Sequence, residues 1–372
     1  MKKIAFLTGT RADFGKIKSL FKILQESDAF DAHIFVTGMH MMETYGYTKI
    51  EVERAGFKNI HTFCNHTSEE TMDLTLAKTM QGFSEFVKNI EPDMIVVHGD
   101  RVEALAGALV GSLNNILVAH IEGGEVSGTI DELIRHSTSK MSHIHFVSNN
   151  AAKNRLIQMG ELPESIETIG SPDVDIMFSE YLPSLKTVKE YYEISFEDYS
   201  VVLFHPVTTE VSEIKMQAQA LTEALIESNK NFVVIYPNND LGSSQILDTY
   251  KKLNKNNHFR IIPSIRFEYF LVLLKNAECI VGNSSAGIRE APYYGVPTIN
   301  IGSRQENRAL HSHILNVNYE FNDILKALQS PLEKVAVEEQ HYGDGNSAQS
   351  FLEVLQDKNI WQLNHQKQFR DI

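Results

Sequence analysis

Three carboxylates in the first half of the chain follow apolar runs and stand near glycines. Asp100 belongs to the segment His98-Gly99-Asp100-Arg101, directly after one apolar run, and Glu122 follows the next run. Asp131 comes after the glycine-containing stretch that starts at Glu122. A buried carboxylate costs several kcal/mol unless it is paired, so packing explains these positions poorly. Each one alone is typical of a helix cap or a solvated loop, but their clustering predicts general acid–base chemistry.

The second half of the chain carries groups suited to a diphosphate and a ribose. The run Gly282-Asn283-Ser284-Ser285 stands at a predicted helix start, and Glu290 follows on the same predicted helix. Hydroxyl and N–H groups at a helix start can bind phosphate, and a carboxylate can bind a ribose diol. The alternative, a serine cap with a capping glutamate, would place the glutamate three residues after the cap. The pattern therefore favours a nucleoside diphosphate.

Basic and imidazole side chains stand at other predicted strand ends. The turn Thr8-Gly9-Thr10-Arg11 opens a helix and suits a phosphate, although a simple turn with a solvated arginine is an equal alternative. His205 follows an apolar run, where a purely structural histidine is the alternative. Further arginines at or near such positions are Arg101, Arg135, Arg266 and Arg304. Because the two halves offer different groups, we infer a nucleotide diphosphate sugar bound between two domains.

Short apolar runs precede all these groups and predict the elements that position them. Continuous runs without alternation are typical of parallel strands that helices cover on both faces. Residues beyond the carboxyl ends of such strands meet at one edge of the sheet and bind ligands there. The sequence therefore predicts an α/β fold with two parallel sheets. The predicted strands are residues 4–7, 33–37, 94–98, 116–121, 143–147, 201–205, 232–237, 280–282 and 298–301.

Length and charge limit the classes of protein. With 372 residues, the chain is long enough for two domains, and we place the boundary in the stretch that begins near residue 170. The net charge of −14 disfavours nucleic acid and anionic membranes as partners. No apolar run approaches the roughly 20 residues that span a bilayer, and the first apolar run is too short for a secretion signal.

Cysteine usage predicts the compartment. The two cysteines, Cys64 and Cys279, lie far apart and lack metal-ligand spacing. Such usage is typical of a reducing compartment and argues against a zinc site. We therefore expect a cytoplasmic protein without a bound metal.

Many ordered motifs resemble the UDP-N-acetylglucosamine 2-epimerase family, and specifically its hydrolysing branch, which feeds sialic-acid synthesis. The resemblance covers nearly the whole chain. The motifs are Thr8-Gly9-Thr10-Arg11-Ala12-Asp13-Phe14-Gly15, Thr37-Gly38-Met39-His40, His98-Gly99-Asp100-Arg101, His120-Ile121-Glu122-Gly123-Gly124-Glu125, Ser127-Gly128-Thr129, Ile134-Arg135-His136, His205-Pro206-Val207-Thr208-Thr209-Glu210, Gly282-Asn283-Ser284-Ser285 and Gly302-Ser303-Arg304-Gln305.

This resemblance implies a GT-B-like pair of Rossmann-type domains with an interdomain cleft. The first domain, residues 1–175, would carry the catalytic carboxylates, and the second, residues 176–350, would bind UDP. Residues 351–372 would form a C-terminal helix that returns to the first domain. The implied reaction converts UDP-N-acetylglucosamine and water into N-acetylmannosamine and UDP, by elimination of UDP to 2-acetamidoglucal and hydration. No cofactor is expected, and relatives imply a homodimer or homotetramer.

The resemblance also implies roles for single residues. Asp100, Glu122 and Asp131 match the catalytic carboxylates of the family, without an assignment of steps. His205 would assist departure of the diphosphate. Arg101 and Arg135 would lie near the acids, and Arg266 at the uridine end. The phosphates would be held by Arg11, Ser284, Ser285 and Arg304, and the ribose by Glu290.

Several alternatives stay open. The stretch from Glu122 to Asp131 resembles the hydrolysing type, because non-hydrolysing epimerases carry a different sequence there. Relatives in legionaminic-acid pathways hydrolyse UDP-N,N′-diacetylbacillosamine with much the same motifs. A glycosyltransferase of the same fold would bind a similar ligand, since fold alone does not fix function. A non-catalytic nucleotide-sugar sensor would bind UDP without turnover.

Overall fold

The computed structural model describes residues 1–66, 71–306, 313–335 and 341–371, and the chain divides into two compact units. Unit 1 comprises Met1–Glu125, Asp131–Glu180 and His341–Ile372. Unit 2 comprises Val126–Ile130 and Tyr181–Gln340. The division differs from a cut at residues 175 and 350, since unit 1 also includes residues 176–180 and 341–350.

Unit 1 is built on a seven-stranded parallel sheet with the order β3-β2-β1-β4-β5-β6-β7. Its strands are β1 (Lys2–Thr8), β2 (Phe30–Val36), β3 (Asn59–Thr62), β4 (Met94–His98), β5 (Leu117–Ile121), β6 (Ile144–Val147) and β7 (Ile166–Thr168). Its helices are α1 (Arg11–Gln25), α2 (Lys49–Arg54), α3 (Met72–Ile90), α4 (Val102–Leu113), α5 (Ile130–Met141), α6 (Asn150–Gln158) and α7 (Pro172–Met177).

The core of unit 1 follows from the apolar runs. Ile4 and Phe6 of β1 and Ile95 of β4 are fully buried, which is what strands covered on both faces require. Helix α1 starts at Thr10, whose hydroxyl accepts from the backbone N–H of Asp13. The Asp13 carboxylate accepts in return from the N–H of Thr10, which completes a capping box.

Unit 2 repeats this architecture with a six-stranded parallel sheet in the order β10-β9-β8-β11-β12-β13. Its strands are β8 (Ser200–Leu203), β9 (Phe232–Ile235), β10 (Phe259–Ile262), β11 (Ile280–Gly282), β12 (Thr298–Ile301) and β13 (Ile314–Val317). Its helices are α8 (Leu185–Tyr191), α9 (Ile214–Glu227), α10 (Ser243–Tyr250), α11 (Phe267–Asn276) and α12 (Phe321–Gln329). The α/β class with two parallel sheets is therefore confirmed.

The last helix, α13 (Ser347–Gln356), belongs to unit 1. Phe351 is fully buried, and its ring lies 4.8 Å from that of Phe146 and 6.4 Å from that of Phe6. The expectation that residues 351–372 form one helix is wrong, because Asp357 is extended and its carboxylate accepts from the N–H of Asn359. A 3₁₀ helix follows at Lys358–Gln362, and residues 363–371 are not helical.

No helix within the described ranges is both long and apolar enough to cross a membrane.

Candidate active site

The carboxyl ends of the central strands of unit 1 carry two of the predicted carboxylates. Asp100 lies in the turn after β4, and Glu122 directly follows β5, the neighbouring strand. Asp131 lies in the first turn of α5, one helical turn before Arg135. The fold thus brings all three to the segments after β4 and β5, as parallel topology predicts.

Asp100 is paired with a buried arginine. The Arg135 side chain is only 5 % exposed, and its Nη2 donates to Asp100 Oδ2. Nη1 of Arg135 also donates to the carbonyl oxygen of Glu125 at 3.2 Å. Arg135 therefore links α5 to the turn after β4 and fixes the orientation of the Asp100 carboxylate, which stays 27 % exposed.

Glu122 is a buried carboxylate in an unusual backbone conformation. Its φ is +63°, a left-handed value that costs a non-glycine residue energy, and only 4 % of the residue is exposed. Ser171 donates its hydroxyl hydrogen to Oε1, and His98 Nε2 lies 3.2 Å from Oε2. An imidazole and a carboxylate therefore lie side by side at the end of β5, and both are side chains that can act in acid–base catalysis.

A buried lysine is shared between two carboxylates. Lys16 Nζ lies 3.0 Å from Asp173 Oδ2 and 3.8 Å from Glu122 Oε2. Both carboxylates are almost completely buried, and burial of such charges requires a cation in close contact. The sequence argument did not select His98, Lys16, Ser171 or Asp173 as site residues. The sequence argument placed Ser171 at the start of the stretch between the domains. In the structure, the backbone N–H of Ser171 donates to the carbonyl oxygen of Tyr342, and both residues belong to unit 1.

The turn after β1 binds its own carboxylate. The N–H groups of Gly9 and Thr10 donate to Asp13 Oδ2 at 3.0 and 3.2 Å. These N–H groups are therefore engaged by Asp13 in this structure, which fits the alternative of a simple turn, and phosphate binding there stays a prediction. Burial raises the pKa of Asp13 above its usual value, against the opposing effect of hydrogen bonds from Thr8 and Gly9. Arg11 lies in the first turn of α1, and its Nη2 is 3.8 Å from Glu51 Oε1.

Arg101 lies close to the carboxylate of Glu103. Its Nε lies 3.4 Å from Oε2 of Glu103, a residue that is 1 % exposed. Burial alone would raise the pKa of Glu103, but Arg101 and His66 outweigh it and lower the pKa to about 2. Arg101 thus keeps a buried carboxylate ionised.

His205 follows β8 in unit 2, and two asparagines fix its position. The backbone N–H of Asn238 donates to His205 Nδ1 at 3.0 Å. Because Nδ1 accepts, the proton of the neutral ring is on Nε2, which can then donate to an anionic oxygen. The fully buried Asn283 accepts from the backbone N–H of His205 at 2.7 Å and donates to its carbonyl oxygen at 2.9 Å.

The segment after β11 is a short helical turn instead of the predicted helix. A 3₁₀ helix covers only Ser285–Gly287, and a second one covers Ala291–Tyr294, with Pro292 near its start. Gly287 packs closely on Thr298, whose hydroxyl donates to the Gly287 carbonyl oxygen at 2.7 Å. The Ser284 hydroxyl accepts from the N–H of Ala286 at 3.2 Å. Glu290 is buried just beyond this turn. The serine hydroxyls and the Glu290 carboxylate thus lie on one segment, although that segment is not a regular helix.

Arg304 follows β12 and contacts the segment after β11. Its Nη1 donates to the Asn283 carbonyl oxygen at 3.2 Å, and the Gln305 side-chain amide donates to the same oxygen at 2.8 Å. Asn283 therefore connects the His205 and Arg304 segments, and unit 2 brings an imidazole, a guanidinium and two serines to neighbouring strand ends.

Arg266 lies in a tyrosine cluster at the start of α11. Its guanidinium carbon is 4.9 Å from the centre of the Tyr191 ring and 5.3 Å from that of Tyr269. Its backbone N–H donates to the Tyr192 hydroxyl at 3.0 Å. Stacking on aromatic faces accounts for this arginine structurally, and its role at the uridine end stays a prediction.

Within the described part of the chain, no group of three or more His, Cys, Asp or Glu side chains could hold a metal ion.

Two parallel sheets with charged and polar groups beyond their strand ends define a GT-B-like α/β protein. The UDP-GlcNAc 2-epimerase of Neisseria meningitidis, solved bound to UDP-GlcNAc, has this fold, with a TM-score of 0.78 and 20% identity over 95% of this chain and 99% of that chain. Residues 22–356 match the family described as UDP-N-acetylglucosamine 2-epimerase. The chain therefore belongs to the UDP-N-acetylglucosamine 2-epimerase family.

Two relatives are similar over nearly their full lengths. A protein of Neisseria meningitidis serogroup B named UDP-N-acetylglucosamine 2-epimerase is 48% identical over 100% of both chains. A protein of Legionella pneumophila named UDP-N,N′-diacetylbacillosamine 2-epimerase (hydrolyzing) is 34% identical over 95% of this chain and 96% of its own.

Proposed function

We propose that this protein is a hydrolysing UDP-N-acetylglucosamine 2-epimerase, which converts UDP-N-acetylglucosamine and water into N-acetylmannosamine and UDP. The observation that carries the proposal is the buried Glu122 carboxylate beside His98, with Asp100 on the neighbouring strand end. Inversion at carbon 2 requires removal and return of a weakly acidic proton, and these groups can transfer protons. The product would supply sialic-acid synthesis.

The first half-reaction is an elimination. A base of unit 1 takes the proton from carbon 2, the carbon 1–oxygen bond breaks, and UDP leaves with the bonding electrons. A carbon 1–carbon 2 double bond remains, as in 2-acetamidoglucal. Glu122, Asp100 and Asp131 are the candidate bases. The contacts of Glu122 with His98 and of Asp100 with Arg135 orient two of the three.

Unit 2 supplies groups for the departing diphosphate. His205 carries the proton of its neutral ring on Nε2, because Nδ1 accepts from the backbone N–H of Asn238. Arg304 and the serines 284 and 285 stand at adjacent strand ends, and Glu290 follows on the same segment as the serines. Donors and cations that meet the negative charge developing on the leaving group lower the barrier to departure.

The second half-reaction is a hydration. One acid protonates carbon 2 on the opposite face, and the hydroxyl of a water molecule adds to carbon 1, while its remaining proton passes to a base. The acid and the base exchange their states between the two steps. Carboxyl and imidazole groups can each act as an acid or as a base, so the predicted site residues of unit 1 are chemically suited to both roles.

The choice of sugar rests on the relatives. The relative named for UDP-N-acetylglucosamine shares 48% identity with this chain, and the relative named for UDP-N,N′-diacetylbacillosamine shares 34%. The second name contains the word hydrolyzing, which supports water as a reactant. UDP-N,N′-diacetylbacillosamine is therefore the second candidate substrate.

Proton NMR in deuterated water tests the proposal. The purified protein is incubated with UDP-N-acetylglucosamine or with UDP-N,N′-diacetylbacillosamine, with and without a chelator. We expect N-acetylmannosamine with deuterium at carbon 2, together with UDP, at a rate that the chelator leaves unchanged. A mixture of two UDP-sugars would show the non-hydrolysing reaction, and turnover of only the second substrate would change the assigned sugar.

Two variants separate catalysis from binding. Asp100→Asn and Glu122→Gln keep the shape of each side chain but remove its charge. We expect both to bind UDP with the parent affinity and to release it from the substrate at least about 100-fold more slowly, which is typical for loss of acid–base catalysis. Equal turnover in the variants would refute the assignment, and UDP binding without turnover in the parent protein would favour a sensor.

A further inference from the structure

The segment that ends the described chain lies against the far end of a helix that carries site residues. We call residues 364–370 the C-terminal strap. His365 Nδ1 lies 2.6 Å from the carbonyl oxygen of Asn115, and the Gln366 amide donates to Asn115 Oδ1 at 2.9 Å. His143 Nε2 donates to the His365 carbonyl oxygen at 3.0 Å, since its Nδ1 accepts from the N–H of Val118. The strap is therefore attached to unit 1 by several hydrogen bonds.

One lysine of the strap caps helix α5. Lys367 Nζ lies 2.6 Å from the carbonyl oxygen of Ser142, 3.0 Å from that of Lys140 and 3.4 Å from that of Ser139. The last carbonyl groups of a helix have no partner within the helix and carry the negative end of its dipole. An ammonium group from a distant part of the chain satisfies both needs for α5.

A buried carboxylate holds Lys367 in this position. Glu161 is 2 % exposed, and its carboxylate accepts from Lys367, from Lys140 at 2.8 Å and from His145 at 3.0 Å. Burial would raise the pKa of Glu161, but His145, Lys367 and Lys140 outweigh it and lower the pKa to about 2. The carboxylate is thus ionised at neutral pH and anchors the ammonium group.

The opposite end of α5 carries two of the predicted site residues. Asp131 and Arg135 lie in its first turns, and Arg135 pairs with Asp100. Between the two ends, Ser139 Oγ is 2.9 Å from His120 Nδ1, and His120 Nε2 is 2.8 Å from the carbonyl oxygen of Gly99. A displacement of the last turn of α5 would therefore move the segment that ends at Asp100.

We propose that Lys367 is a positioning residue for the reaction, which acts by fixing α5 along its axis and thereby the placement of Asp131 and Arg135. This inference rests on the proposed function, since the effect concerns the carboxylates of unit 1. Misplacement of a catalytic group by about 1 Å can cost about 100-fold in rate. The groups proposed to bind UDP belong to other elements. Loss of the Lys367 contacts with α5 is therefore expected to affect turnover more than the affinity for UDP.

The test compares Lys367→Met with Lys367→Arg and with Lys358→Met as a matched control. Lys358 is exposed in the 3₁₀ helix that precedes the strap. We expect Lys367→Met to lower kcat at least about tenfold with KM changed by less than about twofold. Lys367→Arg retains a cation with several donors and should recover most of kcat, while Lys358→Met should match the parent protein.

Hydrogen exchange and UDP calorimetry complete the test. Without substrate, we expect Lys367→Met to exchange the amides of the last turn of α5 faster than the parent, with unchanged UDP affinity. Unchanged kcat, unchanged exchange, or a fall in kcat that only follows the folded fraction would overturn the proposal. An arginine variant as slow as the methionine variant would also overturn it. If the parent releases no UDP from either sugar, the proposed function fails, and the exchange result still decides whether Lys367 clamps α5.

Discussion

The side chain of Asn283 binds both backbone polar groups of His205. Its Oδ1 accepts from the His205 N–H at 2.7 Å, and its Nδ2 donates to the His205 carbonyl oxygen at 2.9 Å. The two residues belong to segments after the neighbouring strands β8 and β11. The position of the imidazole is therefore set by a carboxamide that the sequence argument did not assign a role of its own.

Loss of this pair of hydrogen bonds should reduce turnover. We expect Asn283→Ala to lower kcat by about 10- to 100-fold, because His205 is no longer held in position. Asn283→Asp keeps the acceptor and loses the donor, so its kcat should be intermediate. Asn276→Ala is the matched control, since Asn276 donates to Val272 within α11. UDP-release kinetics measure the effect, and an alanine variant with parental kcat would contradict it.

The lysine shared by Glu122 and Asp173 should contribute strongly to stability. We expect Lys16→Met to lower the free energy of unfolding by about 3–5 kcal/mol, because two buried carboxylates lose their cation. Asp173→Asn added to this variant should restore part of the loss. Urea unfolding followed by circular dichroism measures the three proteins.

A second lysine of α1 supplies the control. Lys22 Nζ lies 3.8 Å from Glu26, and both side chains are more than half exposed. Lys22→Met should cost about 0–1 kcal/mol, as for surface pairs. Equal effects at the two positions would show that burial of the Lys16 cluster does not matter for stability.

Buried neutral histidines should make the protein acid-sensitive. Burial lowers the pKa of His40 and of His120 to about 3, from an ordinary value of 6.5. The unfolded chain therefore binds more protons than the folded chain between pH 6.5 and 3. Stability is complete above pH 6.5 and falls below it, by about 1.4 kcal/mol per pH unit for each histidine.

Urea unfolding at pH 7 and pH 5 measures this loss. The carboxyl groups of Glu103 and Glu161, with pKa values of about 2, add their loss only below their ordinary value of 4.5. Above pH 4.5 the loss from histidines is opposed by Asp13, since burial raises its pKa and the folded chain then takes up its proton more readily than the unfolded chain. A variant is therefore needed to isolate the contribution of one histidine. His40→Gln cannot titrate and should lose about 2 kcal/mol less than the parent between these pH values. Equal losses would remove His40 from the explanation.

The proposed UDP contacts should be separable from folding. We expect Ser285→Ala and Arg304→Ala each to weaken UDP binding by about tenfold, the effect of about 1.4 kcal/mol. The Asn283 carbonyl oxygen keeps its hydrogen bond from Gln305 when Arg304 is truncated, so the segment should stay folded. Calorimetry measures the affinity. Arg260→Ala, which removes an exposed pair with Glu193, is the control and should bind UDP normally.

The sequence predicted the interior strands and missed every edge strand. The predicted runs correspond to β1, β2, β4, β5 and β6 in unit 1 and to β8, β9, β11 and β12 in unit 2. The missed strands β3, β7, β10 and β13 stand at the four sheet edges. Interior strands are covered on both faces and carry mostly apolar residues, whereas edge strands such as β3 are only half-buried and lack that signal.

The candidate site was predicted in part for a related reason. Four predicted site residues follow strands that the apolar runs reveal, namely Asp100, Glu122, His205 and Arg304. Parallel topology alone places them at the carboxyl-terminal ends of the two sheets. Lys16 and Asp173 lie inside helices α1 and α7, and their contact depends on how those helices pack. Side-chain packing between elements leaves no periodic signal in the sequence, which is why these partners were missed.

The left-handed backbone at Glu122 has a consequence for evolution of the protein. The φ of Glu122 is +63°, and this left-handed conformation costs most residues roughly 1–2 kcal/mol. Glycine or asparagine would adopt it with less strain. Relief of this strain alone would favour replacement of Glu122, whereas the contacts of its buried carboxylate with Lys16 and Ser171, and its proposed role in turnover, favour retaining it. The left-handed backbone is therefore expected to persist at this position only as long as a carboxylate is needed there.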